Sequence, residues 1–198
     1  MNTVERPYPY IAVAGPSGAV KTVVAEKMAE GLGYTFIQEQ HTPNPHPKEA
    51  VFQALTHIFT KKIQQIEGTE KQHASGGVVV DTPLQQIVFA YGRARLHGYN
   101  WGLFQSLYES LQPFLMTPSL VVCLEADAQV INLPRLLHNR RDIEMKHSPQ
   151  DLTEFNHEWI FALQIPVIHI NMRSFNGKRF DYQHIVDQIH AKLNAPHD

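Results

Sequence analysis

The stretch Gly15-Pro16-Ser17-Gly18-Ala19-Val20-Lys21-Thr22 combines glycines, a lysine and a hydroxyl at a spacing suited to holding phosphate. The pattern for such a loop is Gly, four residues, Gly, Lys, then Ser or Thr. The chain matches it at Gly15, Lys21 and Thr22, adds Gly18, and carries Val20 at the second required glycine. In a loop of this kind, successive backbone N–H groups and a helix N-terminus wrap the phosphates. The lysine reaches the outer phosphates and the hydroxyl ligates Mg²⁺. A glycine at the second position adopts positive φ, and a β-branched residue there is strained by ~1–3 kcal/mol. The segment reads either as an anion nest with Thr22 on the metal, or as a plain strand-turn-helix with an exposed Lys21.

Such a loop works only between a buried strand and a helix, and the flanking residues supply both. Tyr10–Ala14 is a short apolar run stopped by Gly15, and Thr22–Gly31 follows as a helix ended by Gly31 and Gly33. Further strands are expected at Tyr34–Gln38, Gly77–Asp81, Ser119–Leu124 and Pro166–Asn171. Helices are expected at Ala50–Ile66, Leu84–Leu96, Trp101–Phe114, Gln129–His138, Asp151–Leu163 and Phe180–Leu193. Loops are expected at His41–Pro47 and Glu67–Gly77, both rich in turn residues. Five apolar strands spaced by helices predict an α/β fold, a five-stranded parallel sheet with helices on both faces. Ligands of such sheets bind beyond the carboxyl ends of the strands. That directs attention to Gly15–Thr22, Glu39, Asp81 and Glu125–Asp127.

Composition narrows the remaining possibilities. A chain of 198 residues fits one domain, spanning 1–198. Hydrophobic residues at 43% with 18% charged indicate a folded globular chain. Seventeen basic against nineteen acidic residues, a net −2, give no support for a nucleic-acid or anionic-membrane surface. The single Cys123 excludes an intrachain disulfide and a Cys-rich zinc site. With no spanning apolar run and no signal-like start, a cytoplasmic location is expected. The twelve histidines lack the helical pairing with a carboxylate of a zinc hydrolase and read as scattered surface residues. Trp101, Phe104, Leu107, Tyr108 and Leu111 form an apolar stripe expected in the core or a helix-pair interface.

From Tyr10 to Leu193 the order of these features resembles the deoxynucleoside kinase family of phosphate-loop kinases. Glu39, then Asn44-Pro45, Phe52-Gln53, Val78–Asp81, Pro118–Leu124, and Leu133-Pro-Arg135 through Glu144 stand where that family carries its motifs. The resemblance implies ATP and Mg²⁺ as cofactors, ATP held by Gly15, Ser17, Gly18, Ala19, Val20, Lys21 and Thr22, with Mg²⁺ on Thr22. It implies a lid at about 133–148 whose Arg135, Arg140 and Arg141 close over the phosphates, with Lys21 and Arg141 catalytic. Glu39 would be the general base, and Glu39, Gln53, Asp81 and Glu144 would contact the nucleoside. A homodimer follows from the same resemblance. Thr82-Pro83 stand in place of an Arg-Ser pair, and the interval from Asn44 to Gln53 is several residues short.

Each residue has a plainer counterpart. Glu39 reads equally as a solvated strand end, Gln53 as a solvent-facing glutamine, and Arg140-Arg141 with Glu144 as an exposed charged helix. Asp81-Thr82-Pro83 reads well as a helix start. Three functions fit: an ATP-dependent kinase acting on the 5′-hydroxyl of a deoxynucleoside, a catalytically impaired kinase-fold binding partner, or a phosphate-loop kinase of another small molecule.

Overall fold

Tyr10–Ala14 (β1) is buried at every residue and occupies the middle of a five-stranded sheet. The computed structural model describes residues 8–16, 20–38, 50–72, 76–125, 149–172 and 181–194. Within these, β1 is followed by α1 (Lys21–Leu32), β2 (Thr35–Ile37), α2 (Ala50–Gln72) and β3 (Val78–Asp81). A helical run then comprises α3 (Leu84–Gln86), a π-helical segment (Ile87–Gly92) and α4 (Arg93–Arg95). After it come α5 (Gly98–Leu111), a 3₁₀ turn (Gln112–Phe114), β4 (Leu120–Glu125), α6 (Pro149–Leu163), β5 (Val167–Asn171) and α7 (Tyr182–Leu193). The strand order is β2-β3-β1-β4-β5, and every pairing is parallel. This is the expected α/β architecture.

Alternation along the strands divides the interior between the two faces of the sheet. Tyr10, Ala12, Ala14, Val78, Val80, Val121 and Cys123 pack against residues of α2, the helical run, α5 and α6. Ile11, Val13, Val79, Leu120, Val122 and Leu124 pack against α1 and α7. Strands apolar on both faces are what a doubly covered parallel sheet requires. The stripe on α5 is core: Phe104 and Tyr108 are buried and meet Phe59 edge to face, while Phe52 touches Phe104 and Phe89 touches Tyr108.

Three expectations need correction. The helix from Ala50 runs to Gln72 instead of stopping at Ile66, so most of the Glu67–Gly77 loop is helical. A single interior glycine, Gly68, costs only ~1 kcal/mol and does not stop a long amphipathic helix. The helix expected over Leu84–Leu96 contains a π segment and ends before Leu96, which is extended at φ −99°, ψ 147°. Pro83 is the N-cap of α3 rather than part of its first turn, and no side chain caps that helix. The His41–Pro47 loop, the Gln129–His138 helix and the lid lie outside the described residues. Among the described residues, no helix is long and apolar enough to cross a membrane.

Phe104→Ala should destabilise the fold by about 3–5 kcal/mol, read from urea unfolding at unchanged m. A loss under about 1 kcal/mol would contradict its buried place against the rings of Phe52 and Phe59. Burial pushes the Tyr108 phenol up to about 12, moderated by a hydrogen bond with Gln85. The native state thus holds that proton more tightly than the unfolded chain, so stability is lost as pH rises from about 10 to about 12. Tyr108→Phe should flatten that part of the stability–pH curve.

Candidate active site

The loop leaves the central strand at Gly15, whose φ of 151° lies outside the range comfortable for other residues. A Cβ there would stand 2.7 Å from the carbonyl oxygen of Leu124 on β4, so the close approach of two backbones demands glycine. Gln86 grips the same residue: Gly15 N–H donates to Gln86 Oε1 at 3.3 Å, and Gln86 Nε2 donates to Gly15 O at 2.5 Å. A buried amide that donates and accepts in this way satisfies both backbone groups of one residue.

At the other end of the loop, Val20 sits in the left-handed region at φ 50°, ψ 28°, and caps α1. Valine therefore takes the backbone conformation expected of the missing glycine, with the strain this entails for a β-branched side chain. Lys21 is buried, overturning the reading of it as merely exposed. Its Nζ donates to Pro16 O and to Tyr91 Oη, both at 3.2 Å. Tyr91 belongs to the π-helical segment, and its hydroxyl also receives Gln86 Nε2 at 3.2 Å. Single-turn π segments recur at functional sites, and this one delivers a tyrosine to the loop lysine.

Thr22 Oγ1 donates to Asp81 Oδ2 at 2.6 Å, a charge-assisted bond joining the start of α1 to the end of β3. Asp81 is fully buried, and its second oxygen accepts from Thr82 Oγ1 at 3.2 Å. Asp81, assigned to the nucleoside side by resemblance, thus faces the loop hydroxyl and caps no helix. Thr82 is also at positive φ, 58°, so both β-branched residues held in the left-handed region flank the Thr22–Asp81 pair. Lys62 is buried and reaches this edge from α2, donating to Asp81 O at 2.8 Å and to Gln38 O at 3.1 Å. A cation therefore stands at the ends of β2 and β3, although Thr82-Pro83 replace the expected arginine and serine.

The structure brings together Gly15, Val20, Lys21, Thr22 and Asp81. It leaves Gln53 exposed on α2, about 150° round the helix from the buried Leu55, Phe59, Lys62 and Ile66. Ser17, Gly18, Ala19, Glu39, Arg135, Arg140, Arg141 and Glu144 lie outside the described residues. Sequence reasoning missed Lys62, Gln86 and Tyr91. Lys62 interrupts an apolar seam at helical spacing, and the pair Gln85-Gln86 interrupts the apolar run from Leu84 to Ala90. Those two polar interruptions were the available signal; nothing local marked Tyr91.

No protein-family profile matches the chain. The chain is 28% identical over 148 residues to the deoxyguanosine kinase of Bacillus subtilis (strain 168), covering 70% of this chain. It spans 66% of that relative, slightly under two thirds of its length. Deoxyadenosine kinase from M. mycoides, solved with bound dCTP, superposes at a TM-score of 0.66 and 18% identity, over 93% of this chain and 98% of that one. The same kinase with bound dATP gives 0.67 at 16% identity, over 93% and 99%. The NadR protein in complex with NAD and AMP-PNP gives 0.69 at 16% identity, over 96% of this chain and 51% of that one. At these identities the structural likenesses speak for the fold alone.

Val20→Gly should raise stability by about 1 kcal/mol, the relieved strain less the added freedom of the unfolded glycine. Gln86→Leu should lower it by about 2–3 kcal/mol by orphaning the Gly15 N–H and C=O. Both are read from denaturant midpoints; the opposite sign for Val20→Gly would contradict the strained loop.

Proposed function

We propose that the chain, which is similar to deoxynucleoside kinases in sequence and fold, is a phosphate-loop kinase that transfers the γ-phosphoryl group of ATP to the 5′-hydroxyl of a deoxynucleoside. The observation that carries this reading is the Thr22–Asp81 pair, 2.6 Å apart, beside the buried Lys21. A hydroxyl and a carboxylate at the foot of a phosphate loop are the hard oxygen donors that suit Mg²⁺. Thr22 and Asp81 would hold that ion, and it would supply neutralisation of phosphate charge.

Phosphoryl transfer asks the protein for positioning and positive charge more than covalent chemistry. Lys21 Nζ exchanges the Pro16 carbonyl and the Tyr91 hydroxyl for oxygens of the outer phosphates. Gln86 holds both backbone groups of Gly15, so the start of the loop is ordered before an anion binds. Arg135, Arg140 and Arg141 close over the transferred group, where guanidinium forks suit phosphate oxygens. Glu39 accepts the proton of the 5′-hydroxyl as that oxygen attacks phosphorus and the β–γ bridging oxygen leaves. Glu39 follows directly in sequence on Gln38, whose carbonyl oxygen accepts from Lys62 Nζ. Gln53 and Glu144 are assigned to the nucleoside. The same reading includes a homodimer and a cytoplasmic location.

A second reading, a kinase-fold protein that binds without phosphotransfer, is favoured by one observation. Val20 and Thr82, on either side of the Mg²⁺ donors, both lie in the left-handed region, at positions where the resembled family's motif would carry glycine and arginine. Calorimetric titration with Mg-ATP separates the readings, followed by phosphorylation of a deoxynucleoside panel. The kinase reading expects micromolar affinity, ~8 kcal/mol at 1 μM, and a loss of about two orders of magnitude in Lys21→Ala. It also expects product formation that Glu39→Gln abolishes. Binding seen only in Val20→Gly, or turnover unchanged in Lys21→Ala, would overturn it.

A further inference from the structure

Away from the phosphate loop, β4 and β5 carry another set of polar side chains. Cys123 and Glu125 are two apart on β4 and so lie on one face of the sheet. The parallel register sets His169 of β5 beside Cys123. His157, on α6, meets the His169 ring edge to face, with centroids 5.9 Å apart. One ligand atom each from Cys123, His157 and His169 falls within 4.8 Å of the other two. Two of the twelve histidines are therefore not scattered, as the sequence reading had them, but are gathered over the chain's one thiol.

We propose that Cys123, His157 and His169 bind one divalent ion of the zinc class, with Glu125 orienting the imidazoles and water in the fourth position. The donor set selects the ion: a thiolate with two imidazoles suits Zn²⁺, whereas Mg²⁺ takes hard oxygens. Metal–ligand lengths of about 2.0–2.3 Å put tetrahedral donors about 3.5 Å apart, so the cluster must contract by about 1 Å. The imidazoles can supply that movement, their side chains being 46% and 52% exposed. That exposure also leaves the ion open to water. Glu125 Oε1 lies 2.8 Å from His169 Nδ1 and 3.5 Å from His157 Nε2. A carboxylate that takes one nitrogen of each ring fixes the ring and leaves the other nitrogen for metal. An ordinary cysteine thiol carries its proton at neutral pH, and a metal takes it as the thiolate. Binding releases that proton to solvent, forms the sulfur–metal bond and transfers no electron. The ion would fasten the edge strand β5 and helix α6 to β4.

The test uses the full chain without a histidine tag, reduced and stripped with chelator, titrated with Zn²⁺ by calorimetry and with Co²⁺ by absorption. The proposal expects one equivalent of Zn²⁺, proton release on binding, and a thiolate-to-cobalt charge-transfer band in the near ultraviolet. Excess Mg²⁺ should leave that band intact. Cys123→Ala should remove the band, and Glu125→Gln should weaken Zn²⁺ binding by about 10–100-fold. His157→Gln, an exposed change that spares the core, should weaken it while leaving the circular dichroism unaltered. Binding without the thiolate band, or Zn²⁺ affinity unchanged in His157→Gln, would overturn the proposal.

Discussion

The bond from Thr22 Oγ1 to Asp81 Oδ2 joins two elements that are far apart in sequence and governs the geometry of everything around it. A carboxylate with no exposure to solvent needs partners, because an unsatisfied buried charge is among the costliest defects a fold can carry. The parallel register brings Asp81 level with Val13 on β1, and Thr82 N–H donates to Val13 O at 3.1 Å. With the end of β3 anchored there, Thr22 must point toward it. That orientation fixes the start of α1 and brings Lys21 under the loop.

The same constraint accounts for the backbone strain. Val20, at φ 50°, lies two residues before Thr22, and Thr82, at φ 58°, directly follows Asp81. β-branched residues persist in the left-handed region only where the surroundings over-determine the conformation. Here they are Gln86 clasping Gly15, Lys62 holding the carbonyls of Gln38 and Asp81, and the charge-assisted bond itself. The π-helical segment belongs to this arrangement, since Tyr91 within it takes both Lys21 and Gln86 as donors.

Much of this was legible in the amino-acid order. The five strands were recoverable because each is an apolar run between turn residues, and their ends shift by only a residue or two. The loop was recoverable because Gly15, Lys21 and Thr22 keep a required spacing, and Val20 could be placed at positive φ by the same logic. Periodicity says nothing about where a long helix stops, so α2 was read short at Ile66. A π segment conserves hydrophobic composition while changing the turn, so the reading of Leu84–Leu96 as one regular helix missed it. Partners that depend on strand register and on the packing of α2 against the sheet, such as Lys62 with Asp81, have no local signature. The orientation of Asp81 toward the loop is of that kind, and so is the meeting of Cys123, His157 and His169.

The most direct test of the account is the affinity for ATP measured with and without Mg²⁺, in the natural chain and in Asp81→Asn. If the Thr22–Asp81 pair seats the ion, Mg²⁺ tightens ATP binding in the natural chain, and the substitution abolishes that gain while metal-free binding persists. An equal gain from Mg²⁺ in both proteins would contradict the claim that the loop and the end of β3 form one phosphate- and metal-binding unit.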